Sequence, residues 1–148
     1  MECNRRRSGT TVAHRWRAWI DPRLPLLVLD SGDLNEVTWE QREMEGDPKF
    51  AASQTVPQVP YADYAQSLGL GATKVASPTE VGPAWDAALA ADRPFLIHAD
   101  VDPAVPLVPP RLEPTARARL LDALDHENDA LASRARALLL SELADQEA

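Results

Sequence analysis

The sequence predicts an α/β fold: a partial parallel sheet of three strands with flanking helices, plus a C-terminal helical extension. Apolar runs at 26–29 and 94–99, and a weak strand at 72–76, alternate with segments whose apolar residues are three and four positions apart. This alternation is typical of parallel strands joined by right-handed crossovers. After the proline-rich stretch 102–114, leucines and alanines at helical spacing predict an interrupted helix or a helical pair.

The first apolar run has no polar residue within it, which predicts a strand buried on both faces. Upstream, residues 12–20 have their apolar side chains on one helical face, and the Asp21-Pro22 pair ends that predicted helix. The last strand contains His98, which is predicted to be an ordinary half-buried imidazole, since the three histidines share no metal-binding spacing.

The polar turn at residues 30–33 follows the first strand, and ligand binding is predicted there. Short polar side chains and Gly32 break the strand. Asp33 is the predicted N-cap of the next helix, with Glu36 at the third helical position completing a capping box. In open parallel sheets, ligands bind at the carboxyl ends of the strands.

Two more helices are predicted, one before the second strand and one between the second and third strands. Residues 61–68 have one apolar side. Ser77 is a predicted N-cap, with Pro78 at the first helical position and Glu80 at the third. The core face of the helix that follows is predicted to consist of Val81, Trp85, Ala88 and Leu89. The C-terminal helices either dock on the rest of the domain or bind a partner.

Composition and charge argue against a membrane-spanning, a secreted or a nucleic-acid-binding protein. The chain has 148 residues, a net charge of −8 and a single cysteine, Cys3, which cannot form an internal disulfide. No apolar run approaches the roughly 20 residues that cross a bilayer, and no signal peptide is evident. We therefore expect no membrane span and a cytoplasmic location. The acidic body repels nucleic acid, and the basic arm at 1–10, which is predicted to be disordered, has too few arginines for a binding claim.

Residues 28–42 carry a family resemblance. They read VLDSGDLNEVTWEQR and resemble the second half of the cofactor motif of thiamine-diphosphate enzymes of the pyruvate oxidase, quinone-dependent pyruvate dehydrogenase and acetolactate synthase type. In that family a buried strand ends in Asn-Asn. The resemblance continues through EGDPKF, PYA, LGL and DRP and ends near Pro109-Pro110. It implies that residues 11–110 are part of a thiamine-diphosphate-binding domain and residues 111–148 a C-terminal helical extension.

The resemblance implies roles for five residues. Ser31 occupies the position of the Mg²⁺-binding Asn, and Asp33 that of a metal-binding main-chain carbonyl. Asp30 and Val37 occupy cofactor-binding positions, and Glu40 occupies a catalytic position from which a carboxylate relays protons. Plainer interpretations stay open, because polar turn residues also satisfy backbone donors, and the valine and glutamate also suit a core position and a solvated helix face.

Two parts of the family's site do not occur in these 148 residues: the Gly-Asp-Gly that supplies the other Mg²⁺ ligand, and the domain with the activating glutamate. We therefore expect a C-terminal fragment of an enzyme that decarboxylates a 2-oxo acid such as pyruvate and transfers the activated aldehyde. Alone, the fragment is expected to be inactive and not to bind thiamine diphosphate and Mg²⁺. The alternative is a non-catalytic α/β remnant that binds a partner. Exposed strand edges favour a homo-oligomer or association with the missing enzyme domains.

Overall fold

A computed structural model describes residues 15–146 and has the predicted α/β fold, with an open three-stranded parallel sheet and flanking helices. The predicted arm at 1–10 lies outside the described residues. The strands are β1 (Pro25–Asp30), β2 (Gly71–Val75) and β3 (Phe95–Asp100). The α-helices are α1 (Asn35–Met44), α2 (Ala51–Gln54), α3 (Tyr61–Ser67), α4 (Val81–Ala90), α5 (Pro114–His126) and α6 (Ala130–Gln146).

The central strand of the sheet is β3, which pairs in parallel with β1 on one side and with β2 on the other. The register aligns Asp30 with Asp100 and Lys74 with His98. Because side chains alternate between the faces of a sheet, these four polar residues share one face near the carboxyl ends of the strands.

The chain forms two compact units. The sheet unit comprises the described part of Met1–Asp30 together with Val59–Asp100, and the helical unit comprises Ser31–Gln58 with the described part of Val101–Ala148. The predicted helical pair after the proline-rich stretch is confirmed as α5 and α6. No helix within residues 15–146 is both long enough and apolar enough to span a membrane.

In the sheet unit, the apolar residues of β2 and β3 beneath α4 are buried, whereas most of β1 is not. The core beneath α4 consists of small and medium side chains: Val75, Ala84, Ala88 and Ile97. On β1, Leu27 is 47% exposed and Leu29 is 62% exposed. The prediction of a first strand buried on both faces is therefore wrong. An apolar run signals burial, but β1 is an outer strand of this sheet and its leucines face solvent.

The helical unit has a larger core. Its buried residues come from α1, α5, α6 and the segment before α5: Trp39, Ala104, Leu120, Leu124, Ala132, Ala135, Leu139 and Leu143. A buried ion pair adds to it, because Arg42 donates two hydrogen bonds of 2.8 Å to the Glu127 carboxylate. Among the leucines of α5 and α6, Leu124 is buried and Leu138 is exposed.

Local predictions of helix ends had mixed outcomes. The capping box at Ser77 is confirmed, since the Glu80 carboxylate accepts the backbone N–H groups of Ala76 at 2.7 Å and Ser77 at 3.0 Å. The predicted cap at Asp33 is wrong, because Leu34 occupies the N-cap position of α1 with no side-chain cap.

Two predicted helical faces are also wrong. Of the core face predicted for α4, only Ala88 is buried, together with Ala84, whereas Trp85 and Leu89 are exposed. Within the described residues, the helix predicted at 12–20 is limited to a 3₁₀ turn at Trp16–Ala18, and Ile20 is fully exposed.

Candidate functional site

The turn at residues 30–33 lies where the sequence predicts it, directly after the carboxyl end of β1. Gly32 has a φ of +66°, with nothing within 4 Å of where a Cβ would be, so its backbone conformation rather than lack of space favours glycine. The Gly32 carbonyl accepts the Val56 N–H at 3.0 Å, and the Leu34 N–H donates to the Gln54 carbonyl at 2.8 Å. The turn is thereby held against residues 54–56 of the helical unit.

The two predicted metal-binding residues, Ser31 and Asp33, lie together in this turn. The Ser31 hydroxyl donates to the Asp33 main-chain carbonyl at 3.1 Å. The Asp33 carboxylate is 3.0 Å from the Lys49 ammonium and accepts the Thr38 hydroxyl at 3.2 Å. Each oxygen group that the resemblance assigns to Mg²⁺ therefore has a partner within the helical unit.

Two further predicted site residues, Val37 and Glu40, are in α1 and lie away from its buried side. Val37 and Glu40 are exposed, whereas their neighbours Thr38 and Trp39 are buried. Val37 is therefore not a core valine, and the exposure of Glu40 agrees with a solvated helix glutamate. Both proposed roles, cofactor contact and proton relay, remain predictions.

The fifth predicted residue, Asp30, lies in the sheet unit beside a histidine. Its Oδ2 is 2.9 Å from Nε2 of His98, and Oδ1 of Asp100 is 3.7 Å from the same nitrogen. The Lys74 ammonium lies 2.9 Å from Oδ2 of Asp100. Four ionisable side chains thus meet at the carboxyl edge of the sheet.

His98 is buried rather than half-buried as predicted, with only 3% of the residue exposed. The Tyr61 ring, at the start of α3, contacts the imidazole edge to face with ring centroids 5.3 Å apart. Among the described residues, Nδ1 of His98 has no hydrogen-bond partner. The polar contacts of the imidazole therefore run through Nε2 towards the two carboxylates.

Sequence reasoning found Asp30 but missed its partners His98, Asp100 and Lys74. These residues are distant from Asp30 along the chain, and only the register of β1, β2 and β3 brings them together. The available signal was the pattern His-x-Asp at the end of a predicted strand, since residues two apart on a strand share a face.

Comparisons with known proteins add no identification to this geometry. No protein-family profile matches the chain, and no curated protein matches it either.

Proposed function

We propose that this chain carries the C-terminal part of a thiamine-diphosphate-binding domain, from an enzyme that decarboxylates a 2-oxo acid such as pyruvate and transfers the activated aldehyde. The observation that carries the proposal is the run DLNEVTWEQR at 33–42, which follows a polar turn at the carboxyl end of a parallel strand. That edge of a parallel sheet is where ligands bind.

The donor groups in the turn do not fit Mg²⁺–thiamine diphosphate by themselves. Mg²⁺ requires near-octahedral oxygen coordination and is usually held by one or two carboxylates plus phosphates and water. The turn offers the hydroxyl of Ser31 and the main-chain carbonyl of Asp33, which are hydrogen-bonded to each other. The Asp33 carboxylate is paired with Lys49. We therefore propose that the chain is inactive alone and needs a second half that supplies a carboxylate.

The open edge of β1 supports the proposal that a second half of the site is needed. Because β1 is an outer strand, one row of its backbone N–H and C=O groups has no strand of residues 15–146 beside it. Leu27 and Leu29 add exposed apolar surface on the same strand. A further parallel strand that carries Gly-Asp-Gly at its carboxyl end would cover this edge and place its aspartate beside the turn.

Calorimetry with thiamine diphosphate and Mg²⁺ tests the proposal. The chain alone should give no saturable heat, and Asp30→Asn with Ser31→Asn should not restore binding, because the opposite half is absent. Full-length chain fused at its N-terminus to a strand and helix bearing Gly-Asp-Gly should gain micromolar binding. The matched fusion bearing Gly-Ala-Gly should lose that binding.

Two results would argue against the proposal. One is saturable micromolar binding of the cofactor by the unfused chain, and the other is equal binding by the two fusions. The messenger upstream of the Met1 codon offers a separate check, because an in-frame Gly-Asp-Gly coding stretch there is expected.

A non-catalytic partner-binding role is the second candidate, and the ion pair and the hydrogen bond of the turn favour it. A carboxylate already neutralised by Lys49, and a serine already bonded to a carbonyl, suit a structural turn. In that case neither fusion gains affinity for the cofactor, while the exposed leucines of β1 still bind a protein surface.

A further inference from the structure

We propose that Asp30, His98 and Asp100 form a binding site for a divalent transition-metal ion such as Zn²⁺ at the carboxyl edge of the sheet. The site lies wholly within the sheet unit and needs no thiamine diphosphate. It therefore stands or falls separately from the proposed function.

The geometry of the three side chains suits a shared cation. One ligand atom from each lies within 4.8 Å of the other two, and Nε2 of His98 is 2.9 Å and 3.7 Å from the nearest carboxylate oxygens. Ligands about 2.0–2.2 Å from Zn²⁺ in a tetrahedral site are roughly 3.3–3.6 Å from one another. Small side-chain rotations therefore suffice to bring all three atoms into a coordination sphere.

The fold holds these ligands in place before any metal binds. Asp30 and Asp100 are register partners on adjacent strands, and His98 precedes Asp100 by two residues on the same face. His98 is more than nine-tenths buried, with its ring fixed by Tyr61 and with Nε2 directed at the carboxylates. A buried ligand whose ring orientation is already set loses little freedom on binding, which favours affinity.

Both carboxylates of the cluster are directed at one nitrogen. Asp30 and Asp100 face Nε2 of His98, and the Lys74 ammonium is paired with Asp100. That ammonium lies at Oδ2 of Asp100 and leaves Oδ1 directed at the imidazole. A divalent ion at Nε2 would lie within reach of both carboxylates.

The ligand types select among metals. Imidazole nitrogen suits zinc, iron and copper, whereas all-oxygen sites suit Mg²⁺ and Ca²⁺. Three protein ligands leave at least one position open, as in catalytic rather than structural zinc sites. Asp100 is about half exposed, so water or an anionic ligand can reach that open position.

The unpartnered Nδ1 of His98 is a cost of metal binding. With Nε2 bound to a metal, the neutral ring carries its proton on Nδ1, where no acceptor lies among the described residues. The metal–nitrogen bond has to offset this buried N–H group.

Cobalt titration of the full chain tests the site, because Co²⁺ replaces Zn²⁺ and has visible absorption that reports its coordination. We expect one equivalent of Co²⁺ to give a saturable band that one equivalent of Zn²⁺ abolishes. Asp100→Asn changes an exposed side chain and should preserve the fold by circular dichroism, yet weaken binding at least about tenfold, since even outer-shell partners of a metal contribute that much. Asp86→Asn, an exposed carboxylate on α4, is the matched control and should bind like the original chain.

Imidazole resonances locate the ion independently of the variants. Paramagnetic Co²⁺ should broaden the His98 signals first. The proposal is overturned if no saturable band forms, if Asp100→Asn binds as tightly as the original chain, or if His14 or His126 broadens before His98.

Discussion

The buried clusters of the sheet unit and of the helical unit differ in the size of the side chains that they contain. In the helical unit, Trp39, Leu120 and Leu139 are each at most 1% exposed. In the sheet unit, the residues buried beneath α4 are no larger than isoleucine, while Leu27 and Leu29 of β1 are exposed.

This difference affects how much stabilisation each part obtains from burial. Burying a leucine fully is worth about 1.5–3 kcal/mol relative to leaving it in water. The helical unit obtains that stabilisation from its own residues, whereas β1 does not. The exposed leucines of β1 are the surface on which the proposed second half would pack.

The largest effect is expected from the core of the helical unit. Trp39→Ala should lower the free energy of unfolding by about 3–5 kcal/mol, because it removes a buried indole and leaves a cavity. Trp39→Phe separates ring burial from hydrogen bonding. The indole Nε1 has no partner among the described residues, so phenylalanine should cost far less than alanine in urea denaturation. Equal losses for the two variants would contradict this account of the core.

A somewhat smaller effect is expected from the buried ion pair of the same unit. Glu127→Gln should cost about 3 kcal/mol, since it leaves the buried Arg42 guanidinium without a counter-charge. The Glu127 carboxylate also accepts the Lys49 N–H at 2.8 Å, and the carbonyl oxygen of glutamine can still accept this bond, so the expected loss comes from the charge. Asp125→Asn is the matched control, because its pair with Arg136 is partly exposed and should contribute at most about 1 kcal/mol. A similar loss for the two variants in denaturant titration would argue against a water-excluded pair.

The sheet unit should respond in the opposite way at β1. The double variant Leu27→Thr, Leu29→Thr keeps residues that favour strands, and it should change stability by no more than about 0.5 kcal/mol per site, as for ordinary surface substitutions. Light scattering should show less self-association than in the original chain. Ile97→Val, in the buried core beneath α4, should cost about 0.5–1.5 kcal/mol. If the threonine variant were the less stable of the two, the leucines would be buried in solution.

The comparison also shows what the sequence could predict. The α/β class, the three strands and the helical pair follow from local periodicity, because apolar spacing directly reflects the faces of strands and helices. The same signal gave a wrong result for β1. An apolar run predicts a buried strand, but it does not show whether another element of the fold covers that strand. The local sequence predicts that Asp33 caps α1. In the structure its carboxylate instead pairs with Lys49, which lies sixteen positions further along the chain.

The candidate site was harder to predict than the fold. Asp30 was accessible from the turn that follows β1, but His98 and Asp100 join it only through strand register. Register depends on the packing of the whole sheet, and no local rule fixes which strand lies in the centre. The roles of Ser31, Val37 and Glu40 came from resemblance alone and remain predictions.

The smallest effect is expected at the start of α4, where the Glu80 carboxylate accepts two backbone N–H groups. The hydrogen bonds from Ala76 and Ser77 hold the pKa of Glu80 below its usual value of 4.5. Because the folded-state pKa is depressed, the stabilisation is present above the unfolded-state pKa and is lost as the pH falls through the folded-state pKa. Glu80→Gln should lower the melting temperature by about 2–4 °C at pH 7.

That loss should become smaller in acid, as the carboxyl of the original chain becomes protonated. Glu142→Gln, an exposed glutamate on α6, is the control and should leave the melting temperature nearly unchanged at both pH values. Circular dichroism melts of the three proteins at pH 7 and pH 3 decide the matter. A difference between Glu80→Gln and the original chain that persists undiminished at the lower pH would show that the side chain acts through packing, and not through its charge on the two N–H groups.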